Sequence, residues 1–185
     1  PNISENGHFI KKDYSETVQF GQAVATILLE ALQKDGQNIE PNLRLKNTQI
    51  TLPLKPKYSK NILKRTDSEN AQWDPVWAKI VSKQEAYDYR LLDLSYLQLC
   101  PQWKGLFFNA ELVDAYQVYA RTLDPNALVV GYTNGMIGYL CTAKQLEEGG
   151  YEPDESTYWF ALAGPYDASL EKKIKEQIKE QLESD

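Results

Sequence analysis

The stretch Leu128-Val-Val-Gly-Tyr-Thr-Asn-Gly-Met-Ile-Gly-Tyr139 limits what this chain can fold into more than any other. Leu128 to Val130 is an apolar run of strand length. Behind it come Gly131, Gly135 and Gly138, with an Asn-Gly pair and two tyrosines among them. Glycines so closely spaced let the backbone turn tightly or approach a neighbour closely. Two readings stand side by side. One is a β-hairpin, with Asn134-Gly135 as a type I′ turn between apolar runs. The other is a binding or catalytic loop at the end of a strand.

The residues before this stretch give it a context. Leu106-Phe-Phe108 reads as a strand and Asn109 as an N-cap. Leu112, Ala115, Tyr116 and Tyr119 give the apolar face of a helix over 110–122. Asp124-Pro125-Asn126 breaks that helix before the strand at Leu128. The pattern predicts a βαβ unit over about 105–133 with parallel strands. Parallel strands end at one edge of a sheet, where α/β proteins usually hold ligands. Glu111, expected in the first helical turn, and the 134–139 segment are thereby brought towards one rim.

The rest of the chain supplies further elements. Val24, Ile27, Leu28, Ala31 and Leu32 form an apolar helical face over 15–34. Residues 43–54 read as a strand whose alternation changes phase, which predicts a bulge near Asn47. Residues 55–69 form a polar connector, and Asp74-Pro75 starts a helix. Residues 91–99 are a strand with Leu92, Leu94 and Tyr96 on one face and Leu97 and Leu99 on the other. A short helix over 143–148, a turn at Gly149-Gly150, a short strand over 158–160 and an amphipathic helix over 170–182 complete the reading. In that last helix Leu170, Ile174, Ile178 and Leu182 recur every fourth residue. The fold class expected is α/β: a mixed sheet with a βαβ unit and flanking helices. A chain of 185 residues suits a single domain over 1–185.

Composition narrows function. A net charge of −6 argues against a nucleic-acid binder, which would carry a basic stripe. No apolar run approaches the roughly 18 residues of a membrane span. With one histidine, His8, and two cysteines, Cys100 and Cys141, the chain cannot complete a Cys/His zinc site. The cysteines are either buried thiols or one disulfide. The chain begins at Pro1 and its only methionine is Met136, so either something was removed upstream or the chain is a fragment of a longer protein. Three side chains have chemical readings beyond structure. Glu111 near a helix N-terminus would be held ionised by the helix dipole. Tyr139 could serve as a phenolate ligand if a strong positive charge lay beside it. Tyr151, in a glycine turn, could donate to an oxyanion.

Phe108-Asn-Ala-Glu111, Val129-Val-Gly-Tyr-Thr-Asn-Gly-Met-Ile-Gly-Tyr139 and Glu148-Gly-Gly-Tyr-Glu152 together resemble the neutral/alkaline, non-lysosomal ceramidase family. The resemblance covers the second half of that family's catalytic region. It implies zinc-dependent hydrolysis of N-acyl sphingoid amides, with a metal held by two histidines, a glutamate and a tyrosine. Carried over by motif, the glutamate falls on Glu111 and the tyrosine on Tyr139. A second tyrosine, which stabilises the oxyanion, falls on Tyr151. The two histidines and a Gly-Asp-x-Ser-Pro segment belong to a missing N-terminal half, and His8 matches neither histidine. Asn109-Ala110 and Cys141 depart from the family's usual residues. The resemblance implies zinc as cofactor, a lipid-like amide as substrate, a secreted or cell-surface location, and no activity in the isolated fragment. The competing expectation is a non-catalytic α/β module that binds a glycan or a protein, for which the many aromatics would suit.

Overall fold

The computed structural model describes residues 2–3, 9–10, 14–36, 38–56, 74–85 and 87–183. His8 and most of the polar connector expected over 55–69 lie outside them. Two compact units are present, residues 1–39 and residues 40–185. In the first, β1 (Asn2–Ile3) pairs antiparallel with β2 (Phe9–Ile10). Helix α1 (Tyr14–Leu32) follows, and the apolar face expected of it is exposed along its length: none of its residues is buried.

The second unit is built on a four-stranded mixed sheet. Its strands are β3 (Arg44–Pro53), β4 (Tyr89–Cys100), β5 (Trp103–Phe108) and β7 (Ala127–Val130), in that spatial order. The first three run antiparallel and β7 lies parallel to β5. Helix α3 (Asp114–Leu123) makes the crossover, so β5, α3 and β7 form the βαβ unit that the sequence predicts. Between β5 and α3 the chain adds β6 (Glu111–Leu112), which pairs parallel with β8 (Tyr139–Leu140). Outside these strands lie α2 (Asp74–Ser82), α4 (Ala143–Glu148), a 3₁₀ turn at Glu155–Tyr158 and α5 (Ser169–Glu183). The fold is therefore mixed α/β with flanking helices. Among the described residues, no helix is long and apolar enough to cross a membrane.

The core lies on one face of the sheet. Ile50, Leu52, Leu92, Leu94, Leu106 and Phe108 meet Tyr116 and Ala120 of α3 and the buried Leu170, Ile174 and Ile178 of α5. A four-residue period on α5 places those apolar side chains on one stripe, and that stripe is the one buried. The opposite face carries Leu45, Leu97, Leu99 and Leu128, of which Leu45 is 64% exposed.

Several local expectations give way to tertiary pairing. Asn134-Gly135 is not a hairpin turn, because β7 pairs with β5 and β8 with β6. Residues 131–138 are a loop between strands of two different sheets. Strand β3 has no bulge at Asn47: its register with β4 is continuous from Arg44 to Pro53, and the irregularity lies in β4 beside Gln98. The phase change in β3 arises because Leu45 points to the exposed face while Ile50 and Leu52 point to the core. Residues 158–160 are not a strand; the 3₁₀ turn ends there. Cys100 and Cys141 are both free and buried.

Candidate functional site

The site grows from where β6 sits. Helical periodicity places Glu111 in the first turn of a helix, but α3 begins at Asp114 with Val113 as N-cap. Glu111 is instead extended, so no helix dipole acts on it at close range. Asn109 is likewise not an N-cap. Its buried amide donates to Asp93 Oδ2 at 3.0 Å, and its Oδ1 accepts from the Asp93 backbone N–H at 2.8 Å. That anchor fixes the chain where β5 ends and β6 begins.

The loop 131–138 is stitched to the same segment. The N–H of Tyr132 donates to Ala110 O at 3.0 Å, that of Thr133 to Phe108 O at 2.9 Å and that of Ile137 to Asn109 O at 2.9 Å. Glu111 N–H donates back to Gly138 O at 3.1 Å. Gly131 permits this approach, since a Cβ there would lie 2.7 Å from Ala110 O. Gly138, at φ +119°, is the second place where the path requires glycine. The buried Tyr166 hydroxyl donates to Ile137 O at 2.8 Å and holds the far side of the loop.

These bonds set Glu111 directly opposite Tyr139 in the β6–β8 register. Side chains at paired positions share a face of a ladder. The Glu111 carboxylate acts on two phenols here, those of Tyr139 and Tyr132, and favours the neutral form of each. Burial first, and then the nearby Glu111 carboxylate, push the Tyr139 phenol up to about 12. The hydrogen bond to Glu111, with some burial, raises that of Tyr132. Tyr151 packs edge-on against Tyr139 with ring centroids 6.1 Å apart, and Phe160 does so at 5.9 Å. The ring of Tyr151 is 48% exposed, and its carbonyl accepts from Ser156 N–H at 2.8 Å in the 3₁₀ turn. So the three side chains singled out in the sequence, Glu111, Tyr139 and Tyr151, lie together at the end of the sheet where β5 and β7 finish.

Tyr132 has no part in the sequence reading. A bulky residue at φ +58° leaves no local signature, and its place beside the 108–110 segment follows from the bonds of 132 and 133 to Ala110 and Phe108. The one available signal was its place between Gly131 and Asn134 in the glycine loop.

Chemically, the pair offers a carboxylate and a phenol at directly opposed positions of one ladder. Both are hard oxygen donors, and zinc accepts such donors at about 2 Å. Two such donors are half the number that a tetrahedral zinc site uses. Among the described residues, no group of three or more His, Cys, Asp and Glu side chains converges to supply the other half. No family model, curated protein or solved structure matches the chain.

Proposed function

We propose that this chain is the C-terminal portion of a zinc-dependent, ceramidase-like amidohydrolase acting on N-acyl, lipid-like amides. The observation that carries the reading is the placing of Glu111 directly opposite Tyr139 on adjacent parallel strands. The motif resemblance names the same two residues as metal ligands, and residues 28 positions apart in sequence need a specific fold to meet. In the proposal, Glu111 and Tyr139 hold the ion with two histidines from an N-terminal half. Bound there, zinc would polarise the amide carbonyl and bring the pKa of a coordinated water to about 7.

The chain's own residues have defined parts. Glu111 supplies the charge that attracts the cation. Tyr139 holds its proton here, its phenol being pushed up to about 12, and would supply the second oxygen to the ion. Tyr151, packed on Tyr139 and open to solvent, donates its hydroxyl to the oxygen that becomes negative during attack on the amide. Asn109 and Tyr166 keep the 109–111 and 131–138 segments in place.

One observation favours a second reading, a binding module. Trp159 is 55% exposed, and it lies beside Val76 and Ile80 on the outer side of α2. The readings separate on one experiment. In a protein with the upstream sequence restored, N-acyl amide hydrolysis should need zinc. Glu111→Gln and Tyr139→Phe should each lower it by more than the ~10–100-fold lost when a group that only supports a ligand is removed. Full activity in both variants, or after chelation, would leave the binding module as the better account.

A further inference from the structure

Arg44, Gln98 and Lys104 form a row across three adjacent strands. Arg44 of β3 pairs with Gln98 of β4, and Gln98 pairs with Lys104 of β5. Paired positions share a face, and the buried Gln98 places this row on the core side of the sheet. Neighbouring strands are about 4.8 Å apart, so the two cations flank one amide within the reach of long side chains. The row lines a cleft of about 190 Å³ at the start of β5, the end of that strand opposite to Glu111. Tyr96 and Gln98 are its buried floor, and the exposed Asn42 and Arg44 stand at its rim.

The hydrogen bonds inside this cleft leave donors over. Gln98 Oε1 accepts from the Tyr96 hydroxyl at 2.9 Å. The Gln98 amide nitrogen donates one hydrogen to Asn42 O at 3.3 Å and keeps a second. Lys104 reaches Asp124 Oδ2 at 2.8 Å, and Asp124 Oδ1 already accepts from Asn126 N–H at 2.9 Å. An ammonium group has two further hydrogens to give. Among the described residues Arg44 has no ion-pair or hydrogen-bond partner, so its guanidinium fork is open. Arg44 and Lys104 against Asp124 leave an excess of one positive charge, in a chain whose net charge is −6. Leu182 brings in the last turn of α5, whose carbonyl end carries about half a negative charge and offsets only part of that excess. Glu183 in the same turn faces Lys179 at 3.9 Å. Burial raises the Tyr96 phenol above its ordinary value, and Lys104 and Arg44 both oppose that rise, as charges close to its hydroxyl do.

We propose that the cleft between Arg44, Gln98 and Lys104 binds a phosphoryl group, either free phosphate or the phosphate of a small monoester. A ligand there must bring acceptors and negative charge, since the cleft's own side chains offer unspent donors. A planar carboxylate has two oxygens, and the fork of Arg44 alone satisfies both. A tetrahedral phosphate has oxygens left for Lys104 and for the spare Gln98 hydrogen, which come from the two neighbouring strands. The Tyr96 hydroxyl occupies the Gln98 amide oxygen, so the nitrogen is the end that remains for a ligand.

The test is an NMR titration of the ¹⁵N-labelled 185-residue chain with inorganic phosphate, followed at the Gln98 side-chain amide, with ionic strength held constant by chloride. A saturable shift of that signal is expected. Arg44→Gln, a change to an exposed side chain, should weaken the affinity at least about 10-fold. Lys104→Gln, on the other flank, should weaken it as well, so the result does not depend on one variant. Acetate should bind more weakly than phosphate. Glycerol phosphate separates the two sources: tighter binding than inorganic phosphate identifies a small monoester, and equal or weaker binding identifies the free ion. A Gln98 signal that does not move, an affinity unchanged in the folded variants, or acetate bound as tightly as phosphate would overturn the proposal. Nothing in this measurement involves Glu111, Tyr139 or a metal, so it stands or falls independently of the zinc reading.

Discussion

Tyr139 and Glu111 carry the account at the scale of single residues, and Tyr139 has a consequence for alkaline stability. The fold favours its neutral phenol, with a midpoint raised from 10.0 to about 12. Below pH ~10 the phenol is neutral folded and unfolded, so this contribution is complete. Between ~10 and about 12 the unfolded chain ionises first, and stability falls as pH rises. Denaturant unfolding across this window should show wild type losing more stability than Tyr139→Phe. Parallel curves for the two proteins would show that Tyr139 is not raised by its surroundings. The sequence singles out Glu111, Tyr139 and Tyr151 by short motifs, glycine-rich around the two tyrosines, and the structure sets Glu111 opposite Tyr139 and Tyr151 against the Tyr139 ring. Tyr132 was not, since its backbone conformation is imposed by contacts with residues over twenty positions away.

Among the elements, β6 and β8 decide the site, and both are only two residues long. Strands so short are invisible to periodicity. Leu112 fits the helical spacing of Ala115, Tyr116 and Tyr119, so local pattern assigns residues 110–113 to a helix. Long-range pairing overrides it, because Glu111 and Leu112 find partners in Tyr139 and Leu140. The Asn-Gly hairpin fails for the same reason: β7 has a better partner in β5. Gly131 is where this pairing is most vulnerable. Gly131→Ala would set a methyl 2.7 Å from a backbone oxygen that has no flexible end to move aside. Overpacking of that kind costs about 1–3 kcal/mol. Urea unfolding should detect the loss, and the Tyr139 midpoint should fall with it as the loop pulls away from Glu111. A variant as stable as wild type would mean that the loop is not held as closely as described.

The whole molecule shows a sheet covered unequally. α3 and α5 bury one face, while Leu45, Leu97, Leu99 and Leu128 remain partly or largely open on the other. The α/β class, the crossover and the buried stripe of α5 were all readable from spacing, since each depends on periodicity over ten or more residues. Which face of β3 would be covered was not readable, because both of its faces carry leucine or isoleucine. The asymmetry predicts a sharp contrast. Leu92→Ala, at a fully buried position, should cost about 2–5 kcal/mol. Leu45→Ala, on the open face, should stay within about 0.5 kcal/mol. Equal losses by thermal or urea unfolding would show that the second face is covered in solution.

The central claim is that Glu111 and Tyr139 form half of a zinc site at the end of the sheet, and zinc titration of the 185-residue chain followed at the ¹³Cζ of Tyr139 tests it most directly. The account predicts weak, saturable binding that moves the Tyr139 signal towards its phenolate position and disappears in Glu111→Gln. A Tyr139 signal that stays in place while zinc binds elsewhere, or does not bind at all, would contradict it.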